Sequence, residues 1–237
     1  CYSGDIDERG RRLLRHKAAL LENRAAEVGL HAHFFLMHAE SFRDGAAEQL
    51  SKESSGHTQH TLLLEEFYRT GILIAGNPVL WWVVPPAHEH DYTRYTQRLV
   101  EKRFIRPQQW LDFGGLQTLP AEEFFGVAHW QLFKGIDAPY KSLLKLMLLE
   151  AYAAEYPNVD WLCMETKRAV YSGDEPDADS VDPYLLILQR ITNYLGSRNE
   201  TERLQLARRA FYFKAGHGLM RSGAVTDWRH RQMAGLC

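Results

Sequence analysis

The chain has 237 residues, 45% of them apolar and 24% charged, with 28 Lys and Arg set against 30 Asp and Glu. That composition is ordinary for a globular protein with a sizeable core. The near-zero balance excludes a general electrostatic footprint for DNA or RNA, so an anionic partner has to be met by a local basic cluster. Three widely spaced cysteines, Cys1, Cys163 and Cys237, give neither a disulfide framework nor a zinc ligand set, and they fit a reducing cytoplasm. No apolar run approaches a membrane span. The chain opens on Cys-Tyr-Ser-Gly-Asp without an initiator Met, and we expect its true start to lie upstream.

The first predicted helix covers Asp7 to Glu27, with Leu14, Ala18, Leu21 and Ala25 on one stripe and Arg11, Arg12, Arg15, Lys17 and Glu22 on the other. Gly29 is placed to end it. His31–Met37 (HAHFFLM) reads as a short buried strand. A polar loop over Asp44–Gly56 leads to a helix from Thr58 to about Ala75, with Leu62, Leu63, Phe67 and Ile74 inside. Gly76-Asn77-Pro78 stops that helix, and Val79–Val84 (VLWWVV) reads as a second strand closed by Pro85-Pro86. Beyond it the pattern is almost wholly helical, over His88–Arg103, Pro120–Lys134, Asp137–Glu155, Trp161–Tyr171, Pro183–Leu195, Thr201–Lys214 and Ala224–Ala234. Loops at Asp112–Gly115 and Gly173–Asp182 interrupt it. The expected organisation is helix–strand–helix–strand over 1–86, followed by a helical domain over 87–237.

Two groups of residues carry candidate chemistry. The junction Ser54-Ser55-Gly56-His57-Thr58-Gln59-His60 offers helix N-terminal N–H groups to an anion, with Gln59 and His60 as hydrogen-bonding neighbours. Simple capping by Thr58 is the equal alternative. On the helix that follows, Glu66 and Arg69 are three apart and suited to a surface pair. Lys141 and Lys145 are four apart and share a helix face opposite Leu143, Met147 and Ala151, and Lys134 precedes them. A solvated lysine face is the plain alternative. Asp5-Ile6-Asp7 has the spacing of a metal-binding pair, but its place before a helix points to capping and an acidic first turn. The acidic loop at 174–182 and the basic face of Arg203, Arg208, Arg209 and Lys214 read as solvated surface. The six tryptophans read as core or domain-interface residues.

Several long strings closely resemble the N-terminal catalytic half of class I adenylate cyclases. They are SSGHTQHTLLLEEFYRTGILIAG (Ser54–Gly76), WLDFGGLQTLPAEEFFGVAHWQLFKGIDAPYKSLLKLMLLEAY (Trp110–Tyr152), EYPN (Glu155–Asn158), DPYLLILQRITNYL (Asp182–Leu195) and RRAFYFK (Arg208–Lys214). The resemblance implies an α+β, predominantly helical fold, a partial polymerase-β-like nucleotidyltransferase palm followed by a helical domain. It implies ATP as substrate, cyclic AMP and pyrophosphate as products, and two Mg²⁺ ions held by carboxylates. The Gly-Ser turn and strand-borne Asp-x-Asp that supply those carboxylates are expected upstream of Cys1, so this chain alone is expected to be inactive. The third carboxylate position aligns with His31, a poor Mg²⁺ ligand, with Glu40 as the alternative acid. Lys134, Lys141 and Lys145 become the implied triphosphate contacts, with Tyr140 as a neighbour, alongside Thr58, Gln59 and His60. The expected partners are ATP and the remaining regions of the full-length enzyme. Two other outcomes stay open: a non-catalytic nucleotide-binding or protein-interaction remnant, and a nucleotidyltransferase that adenylylates another molecule.

Overall fold

The computed structural model describes residues 1–2, 6–30, 32–34, 36–44, 60–116, 119–173 and 181–216. Nine α-helices span Glu8–Glu27 (α1), Ala39–Arg43 (α2), His60–Thr70 (α3), Tyr92–Glu101 (α4), Ala121–Lys134 (α5), Pro139–Glu155 (α6), Leu162–Tyr171 (α7), Pro183–Ser197 (α8) and Thr201–Gly216 (α9) among the described residues. The chain divides into two compact units, one of residues 1–60 and 72–116, the other of residues 61–71 and 117–237. The predicted helix over Ala224–Ala234 lies outside the described residues, as do Trp228 and Cys237.

In the first unit the start of α1 is set by Asp7, whose carboxylate accepts from the Gly10 N–H at 2.7 Å. This is the N-cap role expected of Asp7, and Glu8 supplies the favourable first-turn charge. At the other end Gly29 takes φ 76°, a left-handed conformation that costs a side-chain-bearing residue about 1 kcal/mol or more.

Neither predicted strand forms among the described residues. Residues 32–34 and 36–37 make no ladder, and the pairing there is one parallel bridge between Tyr2 and His38. Val79–Val84 is a single tight turn, Leu80–Val83 being 3₁₀, with one parallel bridge from Val79 to Leu111. The reason is local. Pro78 and Pro85 confine the second run to six residues, and a short apolar run can be buried as a turn as readily as a strand. Trp81 and Val84 are fully buried in that turn, and in the same unit Phe42 meets Phe113 edge-on at 5.6 Å. A second 3₁₀ stretch, Pro86–Asp91, replaces the first turns of the helix expected from His88 and passes into α4.

The second unit is helical throughout its described length. Pro139 begins α6 and Pro183 begins α8, each at the first helical turn where a missing N–H costs nothing. Asp182 caps α8 through the N–H groups of Tyr184 and Leu185. Helix α6 is central, packed by α5, α8 and α9. It buries Leu144, Met147, Leu148, Leu149, Ala151 and Tyr152, against Leu186, Ile187, Ile191 and Leu195 of α8 and Ala207, Ala210 and Phe211 of α9. Burial of each Leu- or Ile-sized side chain contributes about 1.5–3 kcal/mol. Among the described residues no helix is long and apolar enough to cross a membrane.

Candidate functional site

The buried face of α3 differs from the apolar stripe read off its sequence. Leu64 and Tyr68 are buried together with Thr61, Glu65 and Arg69, whereas Leu62, Leu63 and Phe67 are half-buried and Ile74, beyond the helix, is 94% exposed. The buried charges make this face tolerable. Glu65 and Arg69, one turn apart, bond at 2.9 Å. Glu65 Oε1 also accepts from the Tyr152 hydroxyl and the Cys163 N–H, each at 3.3 Å, and Arg69 donates to the Pro183 carbonyl at 3.3 Å. A buried charge is costly unless it is paired and its remaining bonding capacity is filled, as it is here. Burial opposes the charge on Arg69, but Glu65 outweighs it and raises the guanidinium above its ordinary pKa. The Tyr152 hydroxyl is pushed up, first by burial and then by Glu65.

Thr58 and Gln59 lie outside the described residues. His60 opens α3 with its ring 5.1 Å from that of Phe42. Just beyond that junction, the N–H groups of Thr61 and Leu62 donate to the buried carboxylate of Glu123 from α5, at 2.9 Å and 3.2 Å. The Thr61 hydroxyl donates to the same carboxylate at 2.9 Å. The first described N–H groups of α3 are thus met by one of the chain's own carboxylates.

The lysines occupy different settings. Lys145 on α6 reaches both carboxylate oxygens of Glu66, at 2.6 and 2.7 Å, with side-chain exposures of 20% for Lys145 and 34% for Glu66. Arg69 thus pairs with Glu65, and Glu66 pairs across to α6, in place of the Glu66–Arg69 surface pair. Burial pushes the Glu66 carboxyl upward, but Lys145, Arg69 and Lys141 together hold it below the ordinary carboxylate range. Lys141, one turn before Lys145, is exposed. Lys134 ends α5 with its ammonium 4.8 Å from the Trp130 ring centre, a cation–π contact. The structure thus brings Lys141 and Lys145 together around Glu66 and sets Lys134 at the end of a neighbouring helix. Tyr140 stacks on Phe213 of α9 at 5.0 Å.

Sequence reasoning missed Glu123 and the Glu65–Tyr152–Cys163 set. Glu65 and Arg69 at i and i+4 carried a signal for their own pairing. Glu123, 62 positions from Thr61, carried none. Among the described residues no group of three or more His, Cys, Asp or Glu side chains is placed to hold a metal ion. Glu40 is exposed on α2, and His31 lies outside the described residues.

Comparison with known proteins gives the family. Residues 119–237 match the family model described as adenylate cyclase, class-I, second domain, and residues 1–82 match the adenylate cyclase NT domain. The chain belongs to the class I adenylate cyclases. It is 44% identical over 236 residues to the adenylate cyclases of Yersinia intermedia and Yersinia pestis, and 43% identical to that of Escherichia coli K12. Each alignment covers 100% of this chain and 28% of the relative, so the chain spans a little over a quarter of the curated relatives it matches. No solved structure matches it. Within the chain, α5 to α9 fall in the second-domain match, and α1 to α3 fall in the NT-domain match.

Proposed function

We propose that this chain is a segment of the catalytic half of an adenylate cyclase that converts Mg-ATP to 3′,5′-cyclic AMP and pyrophosphate. In that reaction the ribose 3′-oxygen forms a bond to the α-phosphorus in line with the bond to the pyrophosphate leaving group, which breaks. One observation carries this reading: similarity above 40% along the whole chain to proteins named adenylate cyclase. The carboxylates for Mg²⁺ are assigned to polypeptide outside this chain, and the partial nucleotidyltransferase palm is assigned to its N-terminal part. On this reading the described residues contribute charge and positioning.

Lys141 is the first candidate for the triphosphate, because it is exposed beside a pair whose other lysine is already engaged by Glu66. Lys134, Lys145, His60, Gln59 and Thr58 complete the proposed set. The test has two arms. A polypeptide extended upstream of Cys1 through its own Gly-Ser and Asp-x-Asp motifs makes cyclic AMP from Mg-ATP; lack of product under those conditions rejects the reading. In the same polypeptide Lys141→Ala weakens ATP binding about tenfold by calorimetry, the loss expected for one charged phosphate contact.

A second reading has an observation of its own. The α3 N-terminus and Lys145 are both satisfied by internal carboxylates, Glu123 and Glu66, as suits a scaffold that does not touch nucleotide. ATP binding indifferent to Lys141→Ala supports that reading.

A further inference from the structure

Helix α4 ends in an unusual way. The Arg103 N–H donates to the Val100 carbonyl at 2.9 Å, and the Phe104 N–H reaches back to the Leu99 carbonyl at 2.9 Å, the paired bonds of a Schellman cap. The residue after the cap takes φ 58°, the left-handed conformation that favours glycine, yet it is Arg103. The apolar residue that follows such a cap commonly folds back onto the last turn of the helix. Here that residue is Phe104, and it is 73% exposed. Both departures work against stability, and strained backbone of this kind clusters where a protein meets a ligand or a surface.

The surroundings are strongly basic. From Tyr92 to Leu111 there are five Lys or Arg against one acid, Glu101, a local balance of +4 in a chain whose total is -2. Arg94, Arg98 and Lys102 recur at four-residue spacing and form a stripe along α4 roughly 12 Å long. Arg103 and Arg106 continue past its end, and all five are exposed. Among the described residues none of the five holds a carboxylate; Arg98 lies 5.8 Å from the centre of the Tyr95 ring. Glu101 accepts instead from Gln97, at 3.1 Å. In the helical unit, by contrast, Arg168, Arg190, Arg198 and Arg203 each pair with a carboxylate. Cations at a helix C-terminus suit its dipole, which accounts for Arg98 and Lys102 but not for an outward Phe104 or a left-handed Arg103.

We propose that the end of α4 is a peripheral contact for an anionic lipid surface. Arg94, Arg98, Lys102, Arg103 and Arg106 meet the headgroup phosphates. Phe104, with Val100 four positions earlier at 38% exposure, enters the boundary between headgroups and acyl chains. These two apolar side chains decide the class of partner. The phosphate backbone of a nucleic acid rewards the cations alone, whereas a lipid surface rewards the cations and the ring together. Such a contact lies on the membrane and requires no spanning helix. It is independent of the nucleotide chemistry proposed above.

The test measures sedimentation of the 237-residue chain with vesicles of phosphatidylcholine alone and of phosphatidylcholine mixed with anionic phosphatidylglycerol. Binding is expected to the mixed vesicles only. Arg94→Gln, Arg98→Gln and Lys102→Gln together should weaken it about a hundredfold, about fivefold for each cation. Phe104→Ser should weaken it about tenfold. Arg103→Gly relieves the left-handed strain, so the thermal midpoint holds or rises while vesicle binding falls about fivefold. Equal binding to both vesicle types overturns the proposal, as does binding to mixed vesicles that ignores either Phe104→Ser or the triple substitution. A chain that ignores the vesicles but retains a single-stranded RNA oligonucleotide also overturns it, because the basic stripe then serves a nucleic acid.

Discussion

The helical unit buries charge, whereas the unit of residues 1–60 and 72–116 buries aromatic rings around a tight loop. Glu65, Arg69, Glu123 and Lys167 are all buried in the former, and Thr96 is the buried polar residue of the latter among the described residues. Long helices fix backbone positions over many turns, so a carboxylate on one can be aimed at donors on another. Glu65 and Glu123 show this, each accepting from groups on other helices. The other unit is held by single bridges and by the 112–116 loop. There Asp112 Oδ1 accepts from the Tyr92 hydroxyl at 2.8 Å and the Gly114 N–H at 3.0 Å, while Glu89 Oε1 accepts from Trp81 Nε1 at 2.9 Å and the Leu116 N–H at 2.8 Å. Burial and the neighbouring Asp112 and Glu89 push the Tyr92 phenol well above its ordinary pKa. Polar groups in this unit satisfy nearby loop backbone instead of bridging helices.

The largest expected effect tests the buried pair. Glu65→Leu strands the Arg69 guanidinium and should cost about 3–5 kcal/mol in denaturant unfolding. Glu65→Leu combined with Arg69→Met should recover most of that loss, since an apolar pair of similar volume needs no charge compensation. A double variant as weak as the single would show that Arg69 is not the cause.

Next comes the loop of the other unit. A Cβ on Gly115 would stand 2.7 Å from the Tyr92 Cβ and 2.8 Å from its Cγ, so Gly115→Ala should cost about 2 kcal/mol. A loss larger than that of Glu65→Leu would invert the ranking of the two units.

A smaller effect is expected at the α3 start. Glu123→Ala removes the carboxylate that binds Thr61 and Leu62, at a cost of about 1–2 kcal/mol, with hydrogen exchange rising first in the opening turn of α3.

The smallest concerns Glu66. Its carboxyl is held below the ordinary range in the folded chain, so its stabilising contribution is complete above that range and fades as pH falls through the folded value. Lys145→Met should move the acid limb of the stability curve to higher pH. An unmoved limb would mean that the pair is indifferent to folding.

Much of the helical unit was legible in sequence, because α5 to α9 carry their signals locally. Pro139 and Pro183 mark starts, and the predicted spans agree to within a few residues, although Asp182, read as part of a solvated acidic loop, is the N-cap of α8. The face of α3 was not legible. HTLLLEEFYRT has two adjacent stripes of similar apolarity, and the choice was made by the mutual neutralisation of Glu65 and Arg69. The two strands failed for a related reason: a strand is defined by its neighbours, and among the described residues the only pairings there are single rungs at His38 and at Val79. At the candidate site the shared face of Lys141 and Lys145 followed from their spacing. The partner of Lys145, Glu66, is 79 positions away and could not be read from any local pattern.

Cys163 is wholly buried at the second residue of α7, with its N–H bonded to Glu65, whereas Cys1 is exposed. An alkylating reagent should therefore modify Cys1 at once and reach Cys163 only when α7 lifts from α3 and α6. The slow labelling step is a natural clock for opening of the helical unit, requiring no introduced probe and running at whatever rate the Glu65 network permits.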